Sequence, residues 1–169
     1  MSSGARSVVV LACGSTLRGD DGVAWRIAEA LEVQPVAPGV EVIFTELLLP
    51  EHAAMISGAE LVIFLDCSAV TAPGEVSTIR LQPASQAPRI FTHHLDPASL
   101  LRLSLELYGR VPPDAVAITV GGESFELSEA PKGQLSASVE AAIPVAVETI
   151  RRVMQGPEPR DQNQATITY

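Results

Sequence analysis

Val8-Val9-Val10-Leu11-Ala12 is an unbroken apolar run that leads directly into Cys13-Gly14-Ser15-Thr16-Leu17-Arg18-Gly19-Asp20-Asp21-Gly22. A run without polar alternation reads as a strand buried on both faces. Gly14 and Gly19 permit a tight backbone path after it. An apolar-periodic stretch follows over residues 23–31, with Val23, Ile27, Ala30 and Leu31 on one helical face. Strand, loop and helix together place Asp20 and Asp21 at the carboxyl edge of a sheet, where open α/β folds keep their sites. The loop is not a phosphate cradle. It matches neither glycine-rich nucleotide pattern and sets two negative charges where a phosphate would lie. Two readings of the pair stand: both carboxylates cap the helix, or one caps and the other faces outward as a cation ligand.

The same alternation continues along the chain. Strands are expected over residues 40–44, 61–65, 75–81 and 115–120, and helices over 50–57, 97–108 and 136–154. Asp96 is an N-cap for the helix that opens with Pro97 at its first position. Pro144 is expected to kink the last helix. The order β-α-β-α-β-β-α-β-α predicts an α/β three-layer sandwich. Its mostly parallel sheet of about five strands, one of them antiparallel, has helices on both faces. Residues 1–155 form one domain, and the Pro-, Gln- and Asn-rich segment 156–169 is a disordered tail.

Composition narrows the function. Of 169 residues, 47% are hydrophobic but only 4% aromatic, so Val, Leu, Ile and Ala must build the core. Eleven basic against 20 acidic residues give a net charge of −9, which argues against nucleic acid and anionic membranes as partners. No secretory signal and no apolar run of about 18 residues is present, so a cytoplasmic protein is expected. Cys13 and Cys67 make no disulfide framework.

Three positions then fall on one rim. Asp21 follows the first strand, Asp66 ends the third, and His93 follows the fourth; in a parallel sheet all three lie beyond carboxyl ends. Two carboxylates and an imidazole suit Zn, Ni, Mn or Fe better than Ca, and three ligands leave a position for water or substrate. Each has a plainer alternative: Asp66 accepting loop amides, His93 or His94 as an ordinary loop histidine. Cys13 and Cys67 read as small buried hydrophobes, though both also fall at these strand ends. His52 is expected at the surface of the second helix, Trp25 in packing, and Glu46 as a solvated loop acid.

Together these motifs resemble those of the hydrogenase maturation proteases. The family opens with Gly-Asn-x-Leu-x-x-Asp-(Asp/Glu)-Gly, here Gly14-Ser15-Thr16-Leu17-Arg18-Gly19-Asp20-Asp21-Gly22. Its apolar strand ending in Asp-Ala is here Leu65-Asp66-Cys67, and its (Ser/Thr)-His-x-Leu is here Thr92-His93-His94-Leu95. Ser15 and Cys67 depart from the usual Asn and Ala. The resemblance implies an endopeptidase that trims the C-terminal extension from the nickel-loaded large-subunit precursor of a nickel-iron hydrogenase. It implies metal ligation by Asp21, Asp66 and His93, with His93 selected over His94 by its motif position. The nickel would come with the substrate, no organic cofactor is needed, and a monomer is expected. Asp20 is then a general base or a cap. A non-proteolytic nickel chaperone and a metal-dependent small-molecule hydrolase are the competing readings.

Overall fold

The computed structural model describes residues 7–35, 37–86, 95–127 and 134–156. Five strands form one sheet: β1 (Val8–Cys13), β2 (Val40–Thr45), β3 (Leu61–Ser68), β4 (Val76–Arg80) and β5 (Asp114–Gly121). Their spatial order is β2-β1-β3-β5-β4, parallel throughout except for β4, which pairs antiparallel with β5. The helices are α1 (Val23–Val33), α2 (His52–Ser57), α3 (Pro97–Tyr108) and α4 (Ala137–Gln155).

Side-chain parity on the central strands builds two cores. Val8, Val10 and Ala12 of β1, with Leu61, Ile63 and Leu65 of β3, pack beneath α1 and α4. The alternate residues Val9, Leu11, Val62 and Phe64 pack beneath α2 and α3. This is why β1 and the first five residues of β3 are buried without interruption. Helices on both faces complete the three layers. No helix among the described residues is long and apolar enough to cross a membrane.

Local signals account for both ends of α3. The Asp96 side chain accepts the Ser99 N–H at 2.8 Å, Pro97 holds the first turn, and Gly109 closes α3 at φ 64°. The last helix runs through Pro144. Two expectations are corrected. Neither Asp20 nor Asp21 caps α1, whose N-cap is Gly22 without a side-chain bond. His52 is not a surface residue but 6% exposed, because its Nδ1 turns inward to accept the Leu49 N–H at 2.9 Å, bracing the short helix α2. The proposed tail falls, from residue 157 on, outside the described residues.

Strand order fixes where a site belongs. From β1 the chain passes through α1 to β2 on one side; from β2 it crosses back through α2 to β3 on the other. The carboxyl ends of β1 and β3 therefore border the topological switch point, where open α/β sheets leave a crevice.

Candidate functional site

Asp21 and Asp66 stand at that switch point. Asp21 lies in a single 3-10 turn, Gly19–Gly22, directly after the β1 loop. Its Oδ2 accepts the Ser15 N–H at 2.8 Å. Asp66 sits where β3 leaves the fully buried core, and its Oδ1 accepts the N–H of Cys67 at 2.8 Å. Among the described residues the second oxygen of each carboxylate is unbonded. Burial pushes the Asp66 carboxyl up to about 6, the Cys67 N–H draws it back, and the charge of Asp21 adds to the rise. Two neighbouring carboxylates, each with an oxygen that the described residues leave unbonded, make a place for a cation.

The glycines of the first loop serve this arrangement. Gly14 has φ 134°, and a Cβ there would run into the Asp21 carbonyl oxygen. Gly19 has φ 51° and lies against the Ser124 carbonyl. Gly14→Ala should therefore destabilise the protein by about 3 kcal/mol. Urea unfolding followed by the fluorescence of Trp25, the only tryptophan, reads this loss.

Asp20 and Asp21 divide their work in a way the motif does not reveal. Asp20 is 0% exposed. Its Oδ2 accepts from the Glu123 N–H (2.8 Å), the Ser124 N–H (2.9 Å) and the Ser136 hydroxyl (2.8 Å), and its Oδ1 from the Ser136 N–H (2.6 Å). Its own N–H donates to the Ser124 carbonyl at 2.8 Å. Burial works to raise its carboxyl, but these donors outweigh burial and hold it below the ordinary carboxylate range. Asp20 is thus a sealed anchor joining the β1 loop to the segment after β5 and to the start of α4. It is neither a cap for α1 nor placed to take a proton from a substrate. The anchor also explains why the Ser136 side chain makes no capping bond to α4.

The cysteines flank the carboxylates from opposite faces of the sheet, Cys13 among the α2/α3 core and Cys67 against the α1/α4 core. Burial first, and then the nearby carboxylates, push both thiols up to about 12. Trp25 packs, its ring 4.9 Å from that of Phe44. Glu46 is exposed just beyond β2.

His93 and His94 lie outside the described residues. The strand argument for His93 nevertheless needs correcting. Because β4 is antiparallel, its carboxyl end lies at the rim opposite Asp21 and Asp66. The described chain resumes at Leu95, whose N–H meets the Leu48 carbonyl at 3.4 Å, just past the carboxyl end of β2. Among the described residues no group of three His, Cys, Asp or Glu side chains is set to hold a metal ion. Asp21 and Asp66 offer oxygen atoms only.

No protein-family model and no curated protein sequence matches the chain. Solved structures do. The hydrogenase-maturating endopeptidase HybD from E. coli superposes with a TM-score of 0.69 at 26% identity, over 88% of this chain and 92% of that one. A hydrogenase 2 maturation peptidase from a Thaumarchaeota archaeon gives 0.65 at 26% identity, over 88% and 98%. The chain has the hydrogenase maturation endopeptidase fold. The [NiFe] hydrogenase maturation protease HycI from Thermococcus kodakarensis shares that fold too, with a TM-score of 0.65 at 24% identity over 91% and 96% of the two chains. In fold the chain is similar to these maturation peptidases over most of its length.

Proposed function

We propose that this chain is an endopeptidase that removes the C-terminal extension from the nickel-loaded large-subunit precursor of a nickel-iron hydrogenase. In this reading Asp21, Asp66 and His93 recognise the nickel, which arrives as part of the substrate. The observation that carries it is the pair of partly desolvated carboxylates, each with a free oxygen, at the switch point of a maturation-endopeptidase fold. Held together without a cation, the two repel; a divalent ion relieves that repulsion and is bound for that reason. Borderline metals such as nickel accept mixed carboxylate and imidazole ligation, which the third residue would complete.

The chemistry is hydrolysis of one peptide bond. Held by Asp21, Asp66 and His93, the substrate's cation would polarise the scissile carbonyl. Water adds to that carbon, a carboxylate of the pair takes its proton, and the proton passes to the departing amine as the C–N bond breaks. The products are a new C-terminal carboxylate and a short released peptide. Asp20, fully buried and with both carboxylate oxygens bonded, has no part in the proton transfer.

The test is a mass measurement. Purified protein is mixed with nickel-loaded and nickel-free precursor, and the precursor is weighed by mass spectrometry over time. Loss of a C-terminal fragment from the loaded form alone, at a rate at least about a hundredfold above the nickel-free form, is the expected result. Tight nickel binding by the isolated protein without any cleavage would favour the chaperone reading instead.

A further inference from the structure

Eleven large apolar side chains are exposed among the described residues. Six lie on the helices, and the other five are all in loops beyond the carboxyl ends of the four parallel strands. Leu17 follows β1, Leu47 and Leu49 follow β2, Val70 follows β3 and Leu127 follows β5. Val70 is 91% exposed and Leu127 is 81% exposed. Isolated surface hydrophobics need no explanation, but their grouping at one end of a sheet does.

The same loops are acidic. Their exposed ionisable residues, among those described, are Glu46, Glu51, Glu75, Glu123 and Glu126 against the single base Arg18. Asp21 and Asp66 lie between these loops. One end of the molecule therefore presents apolar side chains and negative charge around two free carboxylate oxygens. A small molecule held at Asp21 and Asp66 would not need leucines and a valine spread over four separate loops. An extended protein surface does, because apolar contacts far from the reacting bond supply binding and orientation.

We propose that these loops form the docking face for a folded protein whose matching surface is apolar at its margin and positive at its centre, where it carries a bound divalent cation. The proposal rests on the endopeptidase reading, since it takes the nickel-loaded precursor as that protein. Docking through Leu47, Val70 and Leu127 sets affinity, and the carboxylates set the chemistry.

The test compares Leu47→Gln, Val70→Gln and Leu127→Gln, singly and combined, with Val33→Gln and Leu107→Gln on the helices. Leu47, Val70 and Leu127 are exposed and outside the catalytic machinery, so the variants should fold as the parent does. Steady-state cleavage of nickel-loaded precursor should show KM raised about tenfold in the combined loop variant with kcat unchanged, and neither parameter altered in the helix variants. Direct binding is measured in parallel by calorimetry with the same precursor, and should weaken by the same factor. Parent-like KM in the combined loop variant, or an equal rise in the helix variants, overturns the docking face while leaving the endopeptidase reading intact. Parent that binds without cleaving, with binding lost in the loop variants, overturns the endopeptidase reading and keeps the face. Parent that neither binds nor cleaves overturns both.

Discussion

Asp66→Asn is expected to lower kcat/KM for nickel-loaded precursor by about a thousandfold, because it removes one charge from the cation site and one proton acceptor. Asp21→Asn should act similarly. The more informative result is in stability. The Asp66 carboxyl is pushed up in the fold, from 3.8 to about 6, so the folded chain holds that proton more tightly than the unfolded chain does. The resulting stabilisation is fully present below pH 3.8 and is lost as pH rises through about 6. Asparagine imitates the protonated form. In chelator, the variant should therefore match the parent near pH 4 and exceed it by about 2 kcal/mol above pH 7. A variant that loses cleavage and also loses stability at neutral pH would show that Asp66 is a structural acceptor instead.

Asp20→Ala should have the opposite profile: a large loss of stability. It would orphan the N–H groups of Glu123, Ser124 and Ser136 and leave the Ser136 hydroxyl only its contact with the Ser138 hydroxyl at 3.3 Å, for a total of about 3 kcal/mol or more. That is a large share of the stability of an ordinary domain. Asp20→Asn keeps the shape but points an amide donor at other donors and should cost about 2 kcal/mol. Because the Asp20 carboxyl is held below its ordinary 3.8, its contribution is present above that pH and lost as pH falls through the folded value. The gap between the parent and the asparagine variant should thus close on acidification, as read by urea midpoints from Trp25 fluorescence. A gap that stays constant to pH 2 would show that the charge on Asp20 is not what holds the segments together.

The central strands were legible because their environment leaves a mark on composition. A strand covered on both faces needs apolar residues at every position, and Val8–Ala12 and Leu61–Leu65 supply them. The α3 boundaries were legible because Asp96, Pro97 and Gly109 each solve a local backbone problem. The division between Asp20 and Asp21 was not, since what decides it is a contact with Ser136, 116 residues away in sequence. The sense of β4 was within reach. The link from Ser68 to Val76 is too short for a parallel crossover, which takes a dozen residues or more. Weighing that length would have placed the end of β4 at the far rim and removed the strand argument for His93. The inward turn of His52 left no mark, because one ring accepting one amide has no periodicity. Asp21 and Asp66 were named from motif and strand ends together, and the fold brings both to the same crevice.

The placement of Cys13 and Cys67 on opposite faces of the sheet has a practical side. A β-sheet lies between the two sulfurs, so they cannot join without the strands separating. With both thiols pushed up to about 12, only about one in a hundred thousand is ionised at pH 7, and the ionised form is what oxidants and alkylating reagents attack. Maleimide should label the native protein slowly and the urea-unfolded protein fast. The protein should withstand aerobic handling without added reductant.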